Sequence, residues 1–289
     1  MTLPTARHLE SATVRIDYEK CNVCGLCAKV CKGAPLHFEN GKVTVDQARY
    51  FGCLGCGHCV AVCPTGSITV EGRDLSQSSF MDIPFDENRA GYEELMALML
   101  ARRSIREFDY REVEQEKIDK ILVAASTAPM GIPPSDVEVL VVNGKEKVRE
   151  FSDDVLEYMK SQKWIFSKPA LLLMRPLIKK EEYEVLDKFM HPVIEIFEEK
   201  RKEGTDWLLY GAPLAMHFHV SPYADPADPF ITATYAMLAA ETLGLGSCII
   251  GSIGPMLKNG GKKVKEKYGI NPGNQPGIVV IFGYPAVKE

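Results

Sequence analysis

Eight of the nine cysteines stand in two groups of identical spacing. CNVCGLCAKVC places Cys21, Cys24, Cys27 and Cys31, and CLGCGHCVAVCP places Cys53, Cys56, Cys59 and Cys63 before Pro64. Each cysteine of the second group lies 32 residues after its counterpart, so the segment is an internal repeat. A disulfide framework would need an oxidising compartment. A zinc site would take four ligands in two pairs and leave the intermediate cysteines unused. The first residues, MTLPTARHLE, lack the basic-then-apolar order of a signal peptide, and no run of about 18 apolar residues occurs. The chain is therefore expected to be cytoplasmic, without a membrane partner, in a compartment where clustered thiols serve as metal ligands.

The doubled spacing resembles the bacterial two-cluster ferredoxins, in which three closely spaced thiolates hold one cluster and the fourth crosses to the other. The resemblance implies one 4Fe–4S cluster on Cys21, Cys24, Cys27 and Cys63, and a second on Cys53, Cys56, Cys59 and Cys31. Stretches of strand character, TVRID and SITVEG, bracket the repeat. Gly25, Gly52, Gly55 and Gly57 would let the backbone approach inorganic sulfur. Lys32 stands where the usual motif has proline, which changes a turn and not a ligand. His58 is surplus to a complete ligand set. The chemistry of such a module is one-electron transfer.

At 289 residues the chain is expected to form about two domains. The polar stretch DLSQSSFMDIPFDENRAG reads as a linker, and the expected division is a module over 1–75, a linker over 76–91 and a larger domain over 92–289. Helical spacing recurs in YEELMALMLARRS and VEQEKIDKILVAAST. VEVLVV, ALLLM, LAMHFHV and GIVVIFG read as strands. KKEEYEVLDKFMHPVIEIFEEKRKEG reads as a long charged helix, exposed or lid-like. PFITATYAMLAAETLG is apolar nearly all round, as in a helix buried in a core or a subunit interface. GxGxxG and P-loop patterns are absent, and a net charge of −5 gives no basic field for nucleic acid.

Three local features could carry chemistry. RRSIREF offers cationic forks and a hydroxyl after an apolar helix, a set that suits phosphate, or else forms a solvated helix end. TAPMGIPPSD is a Pro/Gly-rich loop between a helix and a strand, able to present backbone groups to a ligand or to serve only as a connection. LGLGSCIIG joins the apolar helix to a short strand, with glycines that allow close approach to a flat ligand.

In this order the features resemble the FMN-dependent nitroreductase family: R-R-S-x-R-x-F, an A-P loop before a strand, L-G-L-G-S-C-x-x-G, and a last strand ending G-Y-P. The resemblance spans roughly residues 92–285. It implies an α+β fold, in which a small ferredoxin-like two-cluster domain precedes an FMN domain with a central, mostly antiparallel sheet flanked by helices. It implies that Arg102, Arg103 and Ser104, with Arg106 in the same motif, hold the FMN phosphate and ribityl chain. Pro129, Met130 and Gly131 would reach the flavin from the second subunit of an interleaved homodimer. The amides of Ile250 and Gly251 would approach flavin N5 and O4, where a donor stabilises the reduced ring. Cys248, which has no neighbouring histidine to act as its base, would be a small wall packed against the flavin.

Two departures stand out. The family loop A-P-S-x-x-N-x-Q-P-W here reads A-P-M-G-I-P-P-S-D-V, so Met130 and Pro133 replace a serine and an asparagine, and Ser135 is the candidate substitute. Lys288 is the one basic residue after G-Y-P, so either the first arginines carry the phosphate or the sequence continues.

The expected function is an FMN oxidoreductase that takes electrons singly from its clusters and reduces a small electron-poor acceptor, such as a nitroaromatic or quinone. An external ferredoxin or other redox protein would be a partner. The alternatives are an electron-transfer flavoprotein subunit, or an FMN dehydrogenase passing electrons out to ferredoxin. Tyr92, Tyr210, His217, His219 and Tyr223 are the candidate proton donors, although alternating histidines in an apolar strand favour a structural role.

Overall fold

The computed structural model describes residues 11–32, 35–50, 52–72, 80–131, 136–258 and 261–287. It resolves into two compact units. One comprises Met1–Gly91, Pro129–Asp136 and Ser221–Asp228; the other comprises Tyr92–Ala128, Val137–Val220 and Pro229–Glu289.

In the first unit the two expected strands pair. β1 (Thr13–Ile16) runs antiparallel to β4 (Ile68–Glu71), with Thr13 opposite Glu71. Two short helices, α1 (Leu26–Val30) and α2 (His58–Ala61), occupy equivalent places in the repeat. Each follows a glycine in the left-handed region, Gly25 at φ 72° and Gly57 at φ 73°, a conformation that a Cβ disfavours. The glycines therefore have a conformational role as well as a steric one. Between the repeats, β2 (Leu36–Glu39) and β3 (Lys42–Val45) form a hairpin. Its turn residues Asn40 and Gly41 both have positive φ, as a type I′ turn requires. Ala12, Val14, Leu36, Val43, Ile68 and Val70 form the core, together with the buried Cys27, Cys53 and Cys59.

The second unit is built on a four-stranded antiparallel sheet. β5 (Val137–Asn143), β6 (Leu214–Val220) and β8 (Gln275–Gly283) lie side by side, with β7 (Gly246–Ile250) on the far edge of β8. Side chains alternate along each strand, so β6 feeds two cores. Leu214, Met216 and Phe218 join α4 (Gln115–Ser126) and α9 (Asp228–Thr242) on one face. Ala215 on the other face joins α5 (Lys145–Ser161) through a cluster that includes Val148, Phe151 and Val155. Every residue of β6 is buried, which explains its continuous apolar reading; each large buried apolar side chain contributes about 1.5–3 kcal/mol.

One expectation fails. ALLLM forms no strand; it lies in helix α6 (Lys168–Met174). Ala, Leu and Met favour helix, Pro169 sits in the first turn where proline is accommodated, and the segment lacks the β-branched residues that made 137–142 a strand. The long charged run is helical but interrupted. α7 (Lys180–Val185) passes through a π turn at Leu186–Met190 into α8 (His191–Lys202). α3 (Tyr92–Ala101) buries none of its residues, leaving Tyr92, Leu95, Met99 and Leu100 exposed. α10 (Ile253–Lys258) and α11 (Lys262–Lys267) complete the unit.

Candidate functional site

The repeat folds so that its cysteines come together across, not only within, the two motifs. Cys31 lines a cavity of about 30 Å³ with Cys53, Cys56 and Cys59. Burial pushes the Cys59 thiol up to about 12, and charge on Cys53, Cys56 and Cys31 adds to the rise. Cys27 is raised by burial and then by Cys21 and Cys63. Thiolates this close repel one another, so they ionise together only against compensating positive charge, which iron supplies. All eight are free thiols, with no disulfide among them. Eight thiols in two coupled groups are more donors than one zinc ion takes. The donor set fits a polynuclear cluster. At Cys63 burial opposes ionisation, but hydrogen bonds from Ser67 and Thr65 outweigh that and bring it down to about 7.

In the second unit the first and third motifs lie alongside each other. Ser104 bridges Ser247, and the Ile105 amide donates to the Ser247 carbonyl at 3.0 Å. The segment then follows the G-Y-P end of β8, with Asp109 N donating to Tyr284 O at 2.9 Å and Ala286 N to Glu107 O at 2.9 Å. Backbone bonding thus brings RRSIREF, GSCIIG and GYP to one edge of the sheet. Arg103 caps α3 by donating to the Leu100 and Arg102 carbonyls. Arginine ion pairs among the described residues involve Arg89, Arg111 and Arg201. Arg102, Arg103 and Arg106 have no carboxylate partner there and offer uncompensated positive charge.

Beside this edge opens a cavity of about 830 Å³, within the size range of small-molecule and cofactor sites. Arg106, Tyr210, Ile250 and Gly251 line one side of it, and Phe189, Met190, Val193 and Phe197 of the charged helical run line another. A Cβ added at Gly251 would meet no atom within 4 Å, so its backbone faces open space where a flat ring can approach. The cavity's polar side chains are few, which suits an apolar aromatic occupant.

These arrangements coincide with two matches to known proteins. Residues 13–64 match the model described as 4Fe-4S dicluster domain, and residues 99–284, well over half of the chain, match the model described as Nitroreductase family. The chain belongs to the nitroreductase family. An "FMN reductase [NAD(P)H]" of Bacillus subtilis (strain 168) is 28% identical over 160 residues, covering 55% of this chain and 55% of that protein. The chain thus spans about half the length of that relative. A "Ferredoxin" of Methanothermococcus thermolithotrophicus is 39% identical over 61 residues, 98% of its length and 20% of this chain. The nitroreductase with bound FMN from Bacteroides fragilis NCTC 9343 superimposes with a TM-score of 0.50 at 22% identity, covering 67% of this chain and 89% of that one. That likeness concerns the fold.

In this nitroreductase-family chain the remaining expected residues are less uniformly placed. Cys248 is buried in the hydrophobic core behind β7 and is absent from the cavity lining, which takes Ile249, Ile250 and Gly251. Pro129, Met130 and Gly131 lie in the first unit, where the Gly131 amide donates to Asp228 at 3.1 Å. Ser135, Pro133 and Lys288 lie outside the described residues. Tyr92 and Tyr223 are exposed. Tyr210 lines the cavity with a left-handed backbone, φ 55°. Burial drives His217 and His219 down to about 4, so both are neutral at pH 7. The charged run expected to be exposed or lid-like supplies the apolar lining from α7 to α8, through apolar residues spaced three and four apart in EVLDKFMHPVIEIF.

Proposed function

We propose that the chain is an oxidoreductase in which electrons pass between two 4Fe–4S clusters and FMN, and that it reduces a small, electron-poor, largely apolar acceptor. The cavity beside Ile250 and Gly251 carries this reading, since a subunit that served only a protein partner would have no need of one. Bound FMN would supply the exchange between single-electron and paired-electron chemistry. The residues proposed to hold it are Arg102, Arg103, Ser104 and Arg106, whose cations, without a carboxylate partner among the described residues, suit its phosphate end. Ile250 and Gly251 offer their backbone to the ring. Phe189, Val193 and Phe197 exclude water and offer aromatic faces to an acceptor. The clusters are assigned to Cys21, Cys24, Cys27 and Cys63, and to Cys53, Cys56, Cys59 and Cys31. The exposed apolar side chains of α3, and Phe230 and Tyr235 on α9, support a homodimer that covers them. An external ferredoxin or similar protein is the proposed donor.

The test is composition followed by substitution. Anaerobically purified protein should hold FMN and about eight iron atoms per chain, as two four-iron clusters require. Gly251→Val, which fills open cavity and leaves the core untouched, should lower flavin content while iron is retained. Unchanged flavin binding in Gly251→Val would remove the cavity from the site.

A further inference from the structure

The two halves of the repeat differ most in the hydrogen bonding of their fourth cysteine. At the first cysteine of each motif the sulfur accepts from the amide two residues on, Val23 N to Cys21 Sγ and Gly55 N to Cys53 Sγ, both at 3.4 Å. The second cysteines, Cys24 and Cys56, are both exposed, and the third, Cys27 and Cys59, are both buried. The fourth differ. Cys63 Sγ accepts from the Ser67 amide at 3.3 Å and lies 3.3 Å from the Ser67 hydroxyl. Thr65 Oγ1 in turn donates to Ser67 Oγ at 3.1 Å. A liganding thiolate has no proton of its own, so this chain of hydroxyls must point toward the sulfur, and each donor polarises the next. Ser67 is buried, so water does not compete. Four residues after Cys31 the corresponding position is Pro35, which has neither an amide N–H nor a hydroxyl, and Thr65 corresponds to Gly33.

We propose that Ser67, backed by Thr65, makes the two clusters unequal electron acceptors, with the Cys63-ligated cluster reduced first. This rests on the two-cluster reading above. Adding an electron makes a cluster more negative, and donors aimed at its sulfur stabilise that charge, so hydrogen bonding to the thiolates raises the potential. The burial difference acts in the same direction. Cys53 is buried whereas its counterpart Cys21 is half-buried, and burial disfavours the more charged, reduced state. Lys32, beside Cys31, opposes the difference, but it is solvent-exposed with its ammonium on the Lys29 carbonyl at 3.4 Å, and salt screens it. Electrons in the module therefore settle on the Cys63 cluster, and the other acts as the stronger reductant.

The test is an anaerobic redox titration of the holoprotein monitored by electron paramagnetic resonance, at low and high salt. Wild type should titrate in two separate steps, with the gap persisting in high salt. Ser67→Ala, which keeps the amide and removes the hydroxyl, should lower the upper step and leave the lower one in place. Thr65→Val should shift the upper step in the same direction by less, and it provides the readout if Ser67→Ala fails to assemble its clusters. Coincident steps in wild type, or a Ser67→Ala shift confined to the lower step, would overturn the inference. Fewer than two clusters in wild type would overturn the two-cluster reading itself.

Discussion

Lowering the pH should destabilise the second unit through its two buried histidines. His217 donates through its Nε2–H to the Pro276 carbonyl and is almost fully enclosed. His219 faces the same side of β6, 5.1 Å away between ring centroids, with Asn274 at 3.1 Å and Glu138 at 3.8 Å. Burial, followed for His217 by the neighbouring His219 and Lys265, depresses its pKa from 6.5 to about 4. A base depressed in the folded state leaves stability intact above the unfolded value of 6.5. Below that the unfolded chain binds the proton and the folded chain does not, so stability is lost as pH falls toward about 4. Between pH 7.5 and 5.5 the unfolded imidazole goes from about one-tenth to nine-tenths protonated while folded His217 stays neutral, a loss of about 1 kcal/mol. His219, held down to about 4 by burial and then by Lys265, adds in the same direction. Urea denaturation followed by circular dichroism at the two pH values, under anaerobic conditions, measures the loss. His217→Gln, which retains an amide donor for Pro276, should flatten the pH dependence by about 1 kcal/mol. An identical pH slope in wild type and His217→Gln would refute the burial argument.

Three further outcomes follow from single features. Val23 holds φ 59° where the second repeat has Gly55 at φ 75°, so Val23→Gly should relieve about 1 kcal/mol of backbone strain and raise the melting temperature of the holoprotein. Arg102→Ala should weaken FMN binding about tenfold or more, the worth of one charge-assisted phosphate contact, as read by fluorescence titration of released flavin. Paired Leu95→Glu and Met99→Glu substitutions on α3 should shift the protein to a monomer in light scattering, since charge at two exposed apolar positions blocks a second copy from covering them.

The features most legible in the sequence were those with a local physical cause. The repeat spacing fixed the ligand chemistry because thiolates separated by two residues present themselves to one cluster. VEVLVV, LAMHFHV and GIVVIFG became strands because β-branched runs suit a buried sheet. Asn40-Gly41 was an overlooked hairpin signal of the same local kind. What escaped notice depended on tertiary placement. ALLLM is apolar enough for either element, and only the helix formers and Pro169 decide against a strand. Which residues of β7 line the cavity depends on how the strand meets its neighbouring elements, and no nine-residue window contains that. The charged surface of α8 similarly concealed the apolar side that closes the cavity.

The most direct test of the account follows reoxidation of the reduced holoprotein. Clusters and flavin are first reduced anaerobically with reduced ferredoxin, and quinones or nitroaromatics are then mixed in a stopped-flow instrument while flavin and iron–sulfur absorbance are recorded. The account predicts that the small acceptor reoxidises the flavin rapidly, that the clusters follow, and that Gly251→Val slows both. Flavin that is reoxidised only by a protein partner, or clusters that stay reduced after the flavin has turned over, would contradict it.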